Sequence, residues 1–153
     1  MKMKAFDFRL QTKLDISLLQ KDIARENLQA SLQARDEIAQ ELNQLAERVQ
    51  AIESSIRESS HSPSSFPFLL TRRQYLPVLH TRKNEVQTHL HEAETVVDTM
   101  RVKLLEQARE TSALEKIKER RFQEYQKEAQ QEEQKIIDEL AMSGHFRKNL
   151  NKV

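Results

Sequence analysis

The chain has 153 residues and a net charge of +1, and 37% of its residues are hydrophobic and 32% are charged. This length allows one domain at most, and this composition excludes a thick globular core, although it suffices for a long two-helix seam. The single glycine, Gly144, argues against α/β and all-β folds, because their turns and phosphate-binding loops use many glycines. The absence of cysteine excludes disulfides and thiolate metal sites and fits a reducing cytoplasm. We therefore expect an all-α protein.

The first predicted helix spans about residues 7–58 and contains a heptad seam, in which seam positions alternate three and four residues apart. We expect it to begin near Asp7 or Phe8, because Asp7 can accept hydrogen bonds from the amides of a first turn. The seam is apolar at both ends of the helix and largely polar from Ser17 to Arg35. The predicted apolar seam residues of this helix are Leu10, Leu14, Leu28, Ile38, Leu42, Leu45, Val49, Ile52 and Ile56.

A hairpin turn is predicted at about residues 59–68, because Pro63 and Pro67 lack amide donors and the serines there favour caps over helix interiors. Ser64 or Ser65 is the candidate cap of the next helix.

The second predicted helix spans about residues 69–143. Pro77 predicts either its start or a kink, and we favour a kink near Pro77 after a short entry helix. The helix should end at Gly144, which leaves residues 144–153 as a tail. Its seam weakens at Gln107 and Thr111 and shifts phase at Phe122. The predicted apolar seam residues are Val86, Leu90, Ala93, Val97, Met100, Leu104, Leu114 and Ile117.

The two helices should form an antiparallel two-helix coiled-coil hairpin with a C-terminal helical overhang. With the turn between them, the residue numbers of facing partners should add up to roughly 128. Everything after about Arg121 then has no partner in the first helix. This acidic overhang is marginal as an isolated helix in water, so we expect it to dock on another chain.

No catalytic constellation is present in the sequence, so we expect no enzyme activity and no cofactor. No glycine-rich loop could cradle a phosphate. His89 and His91 are two residues apart and point away from each other on a helix, so we expect no metal site. The apolar stretches are too short to cross a bilayer, and we expect no direct membrane insertion.

Two aromatic and apolar groups are candidate partner-binding sites. Tyr75 and Leu79 lie one helical turn apart and form a small apolar anchor. Phe122 and Tyr125 lie on the overhang. Phe66 and Phe68 could equally cap the end of the seam. The basic residues near them (Arg72, Arg73, Arg82 and Lys83) favour an acidic protein surface over a nucleic acid, because no aromatic ladder accompanies them.

Three motifs in this order resemble the flagellar FliJ family over nearly the whole chain. The first is F-x-F-R-L-x-x-x-L, from Phe6 to Leu14, and the second is R-Q-Y-L-x-x-L, from Arg73 to Leu79. The third is ALEKIKERRFQEYQKE, from Ala113 to Glu128, followed by an acidic run that ends at Asp138 and Glu139.

This resemblance implies a non-enzymatic, stalk-like coiled coil of the flagellar protein-export apparatus. It implies binding to the export ATPase ring, the export gate protein and export chaperones, and promotion of the ATPase activity. It also implies a cytoplasmic protein that is peripherally associated with the inner face of the cell membrane through the apparatus. By motif, Tyr75 and Leu79 are gate-contact candidates, and Phe122 and Tyr125 are ATPase-contact candidates. Pro77 departs from the family pattern inside the Tyr75–Leu79 turn.

Two alternatives remain open from the sequence. One is the equivalent stalk of a virulence-type secretion system. The other is a structural coiled-coil scaffold or tether, whose helices pair between chains, whereas the stalk is expected to be monomeric alone and to pair its helices within one chain.

Overall fold

The structure, a computed structural model, describes residues 5–59 and 66–150. It contains two long helices, α1 (Gln11–Ser59) and α2 (Phe66–Leu150). The helices pack against each other as a helical hairpin, so the predicted all-α hairpin is confirmed. In this structure of a single chain, the two helices pair with each other.

The helix α1 begins at Gln11, a few residues later than Asp7 or Phe8, where the sequence placed its start. The Gln11 amide donates to the Phe8 carbonyl over 2.8 Å, which forms a turn before the helix. The Phe8 side chain is buried against Leu14 and Leu114. The burial of Phe8, and not a cap at Asp7, therefore holds the chain in place where it enters α1.

The helix α2 begins at Phe66 and continues through Pro77. It therefore does not start at Pro77, which was one of the two predicted alternatives, and a kink near this residue stays a prediction. Pro67 occupies the second position of the helix, where an amide donor is not needed. The central part of the predicted turn, with Pro63 and the candidate caps Ser64 and Ser65, lies outside the described residues.

The prediction that Gly144 ends α2 is wrong, because the helix continues to Leu150. Glycine ends a helix when it adopts a positive φ, and Gly144 does not. A glycine inside a helix costs roughly 1 kcal/mol relative to alanine, which lowers helix stability without ending the helix.

The chain divides into two compact units, and the first consists of residues 1–20 and 108–153. Its core contains Phe8, Leu14 and Leu114, with Phe6 packed against them. Ser17 faces Thr111, and Phe6 contacts Phe122. The residue numbers in each facing pair add up to about 128, which confirms the predicted antiparallel pairing in this unit.

Two predicted seam residues of this first unit are more exposed than a seam position should be. Ile117 is 44% exposed and Leu10 is 37% exposed. Lys118 is less exposed than its neighbours and takes the position that Ile117 was predicted to occupy. The α2 seam keeps its alternating spacing through Thr111, Leu114 and Lys118, so spacing rather than apolar character decides which side chain faces inwards.

The second unit, residues 21–107, contains the clearest part of the seam. Its most buried apolar side chains are Val49, Leu79, Val86 and Val97, each 6% exposed or less. Arg82 reaches across from α2 to Glu41 on α1, with a nitrogen–oxygen distance of 2.8 Å. The other predicted seam residues of the unit are partly buried, namely Leu28, Ile38, Leu42, Leu45, Ile52, Ile56, Leu90, Ala93, Met100 and Leu104.

Candidate partner-binding surfaces

Phe122 and Tyr125 belong to a cluster of three aromatic rings with Phe6. The Phe6 ring meets Phe122 edge-on, with centroids 5.2 Å apart, and meets Tyr125 at 5.6 Å. Phe122 and Tyr125 are stacked at 6.4 Å. Their partner is not part of the first helix, because Phe6 lies before the start of α1. Phe122 remains 41% exposed, so part of the cluster is open to a further partner.

The short segment before α1 positions Phe6. Phe8 anchors this segment in the core, and the turn at Gln11 redirects the chain into the helix. Open grooves lie on both sides of Phe6, with volumes of about 750 Å³ and 560 Å³. The larger groove lies between residues 5–10 and the face of α2 that includes Tyr125. The walls of both grooves combine aromatic and aliphatic side chains with charged ones, so these grooves can receive a partner side chain that has an apolar body and a polar end.

A pair of buried hydroxyl groups lies in the same unit, inside the seam. Ser17 is 2% exposed and Thr111 is 0% exposed. Their hydroxyl oxygens are 2.8 Å apart, and the Thr111 hydroxyl also donates to the Ser17 carbonyl over 3.3 Å. Either hydroxyl can be the donor in the bond between them. Both buried groups are thus satisfied, which holds α1 and α2 in one register here.

Near the start of α2, the predicted pair Tyr75 and Leu79 does not form one accessible anchor, because only one of the two side chains is exposed. Leu79 is 3% exposed and belongs to the seam, so it is not an anchor that a partner could reach. Tyr75 is 43% exposed and stays available. The period of the seam explains the difference, because Leu79 lies at a seam position and Tyr75 lies beside it.

Phe66 and Phe68 are 68% and 49% exposed, so neither is buried as a cap on the end of the seam. The Arg72 guanidinium lies over the Phe68 ring, 4.0 Å from its centroid, and Arg72 also donates to the Ser55 hydroxyl. This part of α2 therefore presents aromatic and basic side chains together, in the second unit.

The basic residues of this region are partly neutralised by acids of the same unit. The pKa of Arg82 is raised by its hydrogen bond to Glu41 and by the charge of that carboxylate, with a smaller effect from Glu85. His80 lies 3.8 Å from Glu53. Internal pairing of this kind weakens the attraction of the patch for an acidic partner.

The last part of α2 described with side chains, residues 129–144, is called the C-terminal segment below. Its large apolar side chains are well exposed, with Ile136 at 46%, Ile137 at 57% and Leu140 at 66%. The polar contacts of its described side chains lie within the helix itself, such as Lys135 with Glu132 at 3.0 Å. Among the described residues, no second helix covers this segment.

Within the described ranges, no group of three or more histidine, cysteine or acidic residues lies together as a metal site would require. In the same part of the chain, neither helix is long and apolar enough to cross a membrane.

Comparison with protein-family models matches residues 6–150 to the family described as Flagellar FliJ protein. The chain belongs to the FliJ family. The match covers both helices, both partner-binding candidates and the C-terminal segment. FliJ membership makes the chain a non-enzymatic component of the flagellar export apparatus that interacts with other components of that apparatus. Searches of curated proteins and of solved structures find no match.

The sequence reasoning missed the roles of Phe6, Ser17 and Thr111. In the sequence, Phe6 stands out only as part of a motif, and the two hydroxyl residues interrupt the apolar seam. A signal was nevertheless available, because each of these residues faces its partner under the antiparallel numbering that the hairpin implies.

Proposed function

We propose that the chain is the stalk of the flagellar export machine, which binds the export ATPase ring and promotes its activity. The ring hydrolyses ATP, and the stalk links it to the export gate protein and to export chaperones. We place the chain in the cytoplasm, peripherally associated with the inner face of the cell membrane through the apparatus. Family membership and the two-helix hairpin support this proposal.

The aromatic cluster is the observation on which the ATPase contact rests. Phe122 is large, 41% exposed and held in place by Phe6, so binding would order few additional side-chain torsions. Preorganised aromatic side chains next to a groove are typical of residues that contribute most to an interface. Tyr75, in the other unit, is the remaining gate-contact candidate, whereas Leu79 no longer is one.

The proposal is tested by titrating the cognate export ATPase with the chain and measuring ATP turnover. The wild-type chain should stimulate turnover. Phe122→Ala should raise the concentration needed for half-maximal stimulation about tenfold or more, because interface hot spots have effects of this size. Phe66→Ala is the matched control, since it removes an exposed phenylalanine from the other unit and should leave stimulation unchanged.

Phe6→Ala separates direct contact from support. It removes the bracing ring and keeps Phe122, so its effect should be smaller than that of Phe122→Ala. The absence of stimulation by the wild-type chain at any ratio would refute the proposal. Equal effects of Phe66→Ala and Phe122→Ala would refute the assignment of the contact to the aromatic cluster.

A further inference from the structure

The C-terminal segment continues the seam of α2 beyond Tyr125. Tyr125 still meets Phe6. The following seam positions, at alternating spacings of four and three, are Ala129, Glu132, Ile136 and Glu139. Elsewhere in α2 this face packs against a second helix. In the C-terminal segment, no second helix among the described residues covers it.

This face differs from the rest of the seam because it alternates apolar and acidic residues. Ala129 and Ile136 could pack against a second helix, whereas Glu132 and Glu139 place carboxylates at the positions between them. The whole segment contains four acidic residues and one lysine, a net charge of −3. Lys135 pairs with Glu132, which leaves most of this negative charge uncompensated.

We propose that the C-terminal segment is a docking face for a basic amphipathic helix of a partner protein. Such a helix has an apolar row to cover Ile136 and Leu140, with Lys or Arg opposite Glu132 and Glu139. Opposite charges at and beside a helical seam select the partner and its orientation. An uncharged apolar helix fits less well, because it would bury the two carboxylates without cations.

A second copy of this chain is a poorer occupant of the face. Two C-terminal segments packed together would bring two sets of carboxylates, each with a net charge of −3, to one seam. Repulsion between like charges disfavours that pairing, as it does in coiled coils with matching charges. The charge pattern therefore favours a heterologous partner.

This inference deepens the proposed function, since the segment belongs to the same unit as the aromatic cluster, but its test needs no ATPase. The probes are three labelled synthetic peptides, and their binding to the full chain is measured by fluorescence anisotropy. The first is an amphipathic helix with leucines on one face and lysines beside them. The second has glutamates in place of the lysines, and the third has the composition of the first in scrambled order.

The lysine peptide should bind, and its affinity should fall as salt is added, because exposed charges are screened. The glutamate peptide should not bind, and the scrambled peptide should bind about tenfold more weakly, since it lacks the apolar row. Equal binding of the lysine and glutamate peptides would overturn the charge assignment. Equal binding of the lysine and scrambled peptides would overturn the helical docking face and indicate general attraction to an acidic segment.

Neighbouring residues of α2 provide matched controls for the location of the site. Ile136→Ser should weaken binding of the lysine peptide about fivefold or more, whereas Ile137→Ser should change it less than about twofold. The two isoleucines are 46% and 57% exposed and differ mainly in which side of the helix they occupy. Glu139→Gln should likewise weaken binding more than Asp138→Asn, because only Glu139 lies on the face.

Equal losses within each pair of neighbours would place the binding elsewhere and overturn the proposal. Peptide binding without any ATPase stimulation would refute the proposed stalk function and leave the docking face standing. Stimulation of the ATPase without binding of the lysine peptide would refute the docking face and leave the proposed stalk function standing.

Discussion

Removing the buried hydroxyl groups of Ser17 and Thr111, singly and together, should give strongly non-additive losses of stability. Thr111→Val removes the hydroxyl to which the Ser17 hydroxyl, 2% exposed, is hydrogen-bonded. An unsatisfied buried hydroxyl costs about 1–3 kcal/mol of unfolding free energy. Ser17→Ala should cost less, about 0.5–1.5 kcal/mol, because the Thr111 hydroxyl keeps the carbonyl of residue 17 as an acceptor.

The double variant should be close to the wild type in stability, within about 1 kcal/mol, because it replaces both partners by apolar groups of similar shape. The coupling energy between the two sites should therefore exceed about 1 kcal/mol. Urea unfolding followed by circular dichroism measures all four chains. Additive losses, with the double variant the least stable, would refute the view that the two hydroxyls satisfy each other in the seam.

Two further predictions concern the seam and the end of α2. Leu79→Ala should lower the unfolding free energy by about 2–5 kcal/mol, because Leu79 is buried, whereas Leu70→Ala should cost less than about 1 kcal/mol, since Leu70 is 49% exposed. Comparable losses in urea unfolding would contradict the seam assignment. Gly144→Ala should stabilise the end of α2 by about 0.5–1 kcal/mol, because an added Cβ would meet no atom within 4 Å and alanine favours the helix. Slower amide hydrogen exchange in this part of α2 would show that gain, and faster exchange would contradict a helix that runs through Gly144.

The apolar part of the seam could be predicted from the sequence because its period is regular. Val86 and Val97 lie on the alternating three- and four-residue spacing of α2, Val49 lies on that of α1, and all three side chains are buried. Ile117 shows the limit of reasoning from apolar character, because it is exposed while the neighbouring Lys118 takes the seam position. A lysine can hold such a position by burying its aliphatic stem.

The polar layer and the aromatic cluster depend on pairing across the chain, which local patterns do not report. Thr111 resembles a gap in the seam until Ser17, distant in sequence, is placed opposite it. Phe6 lies outside any helix, so helical periodicity could not assign it to Phe122. The burial of Leu79 and the exposure of Tyr75 are predictable from the sequence, because the α2 seam extended back from Val86 leads to Leu79 and not to Tyr75.

The central claim is that the closed hairpin is the form that stimulates the export ATPase. The variant Ser17→Cys/Thr111→Cys tests it directly, because the native hydroxyl oxygens are 2.8 Å apart and the chain has no cysteine of its own. Oxidation should lock α1 to α2 within one chain. The locked chain should raise ATP turnover by the cognate ATPase as much as the wild-type chain does. Stimulation that is lost on oxidation and restored by a reductant would show that the helices must separate, and would contradict the account.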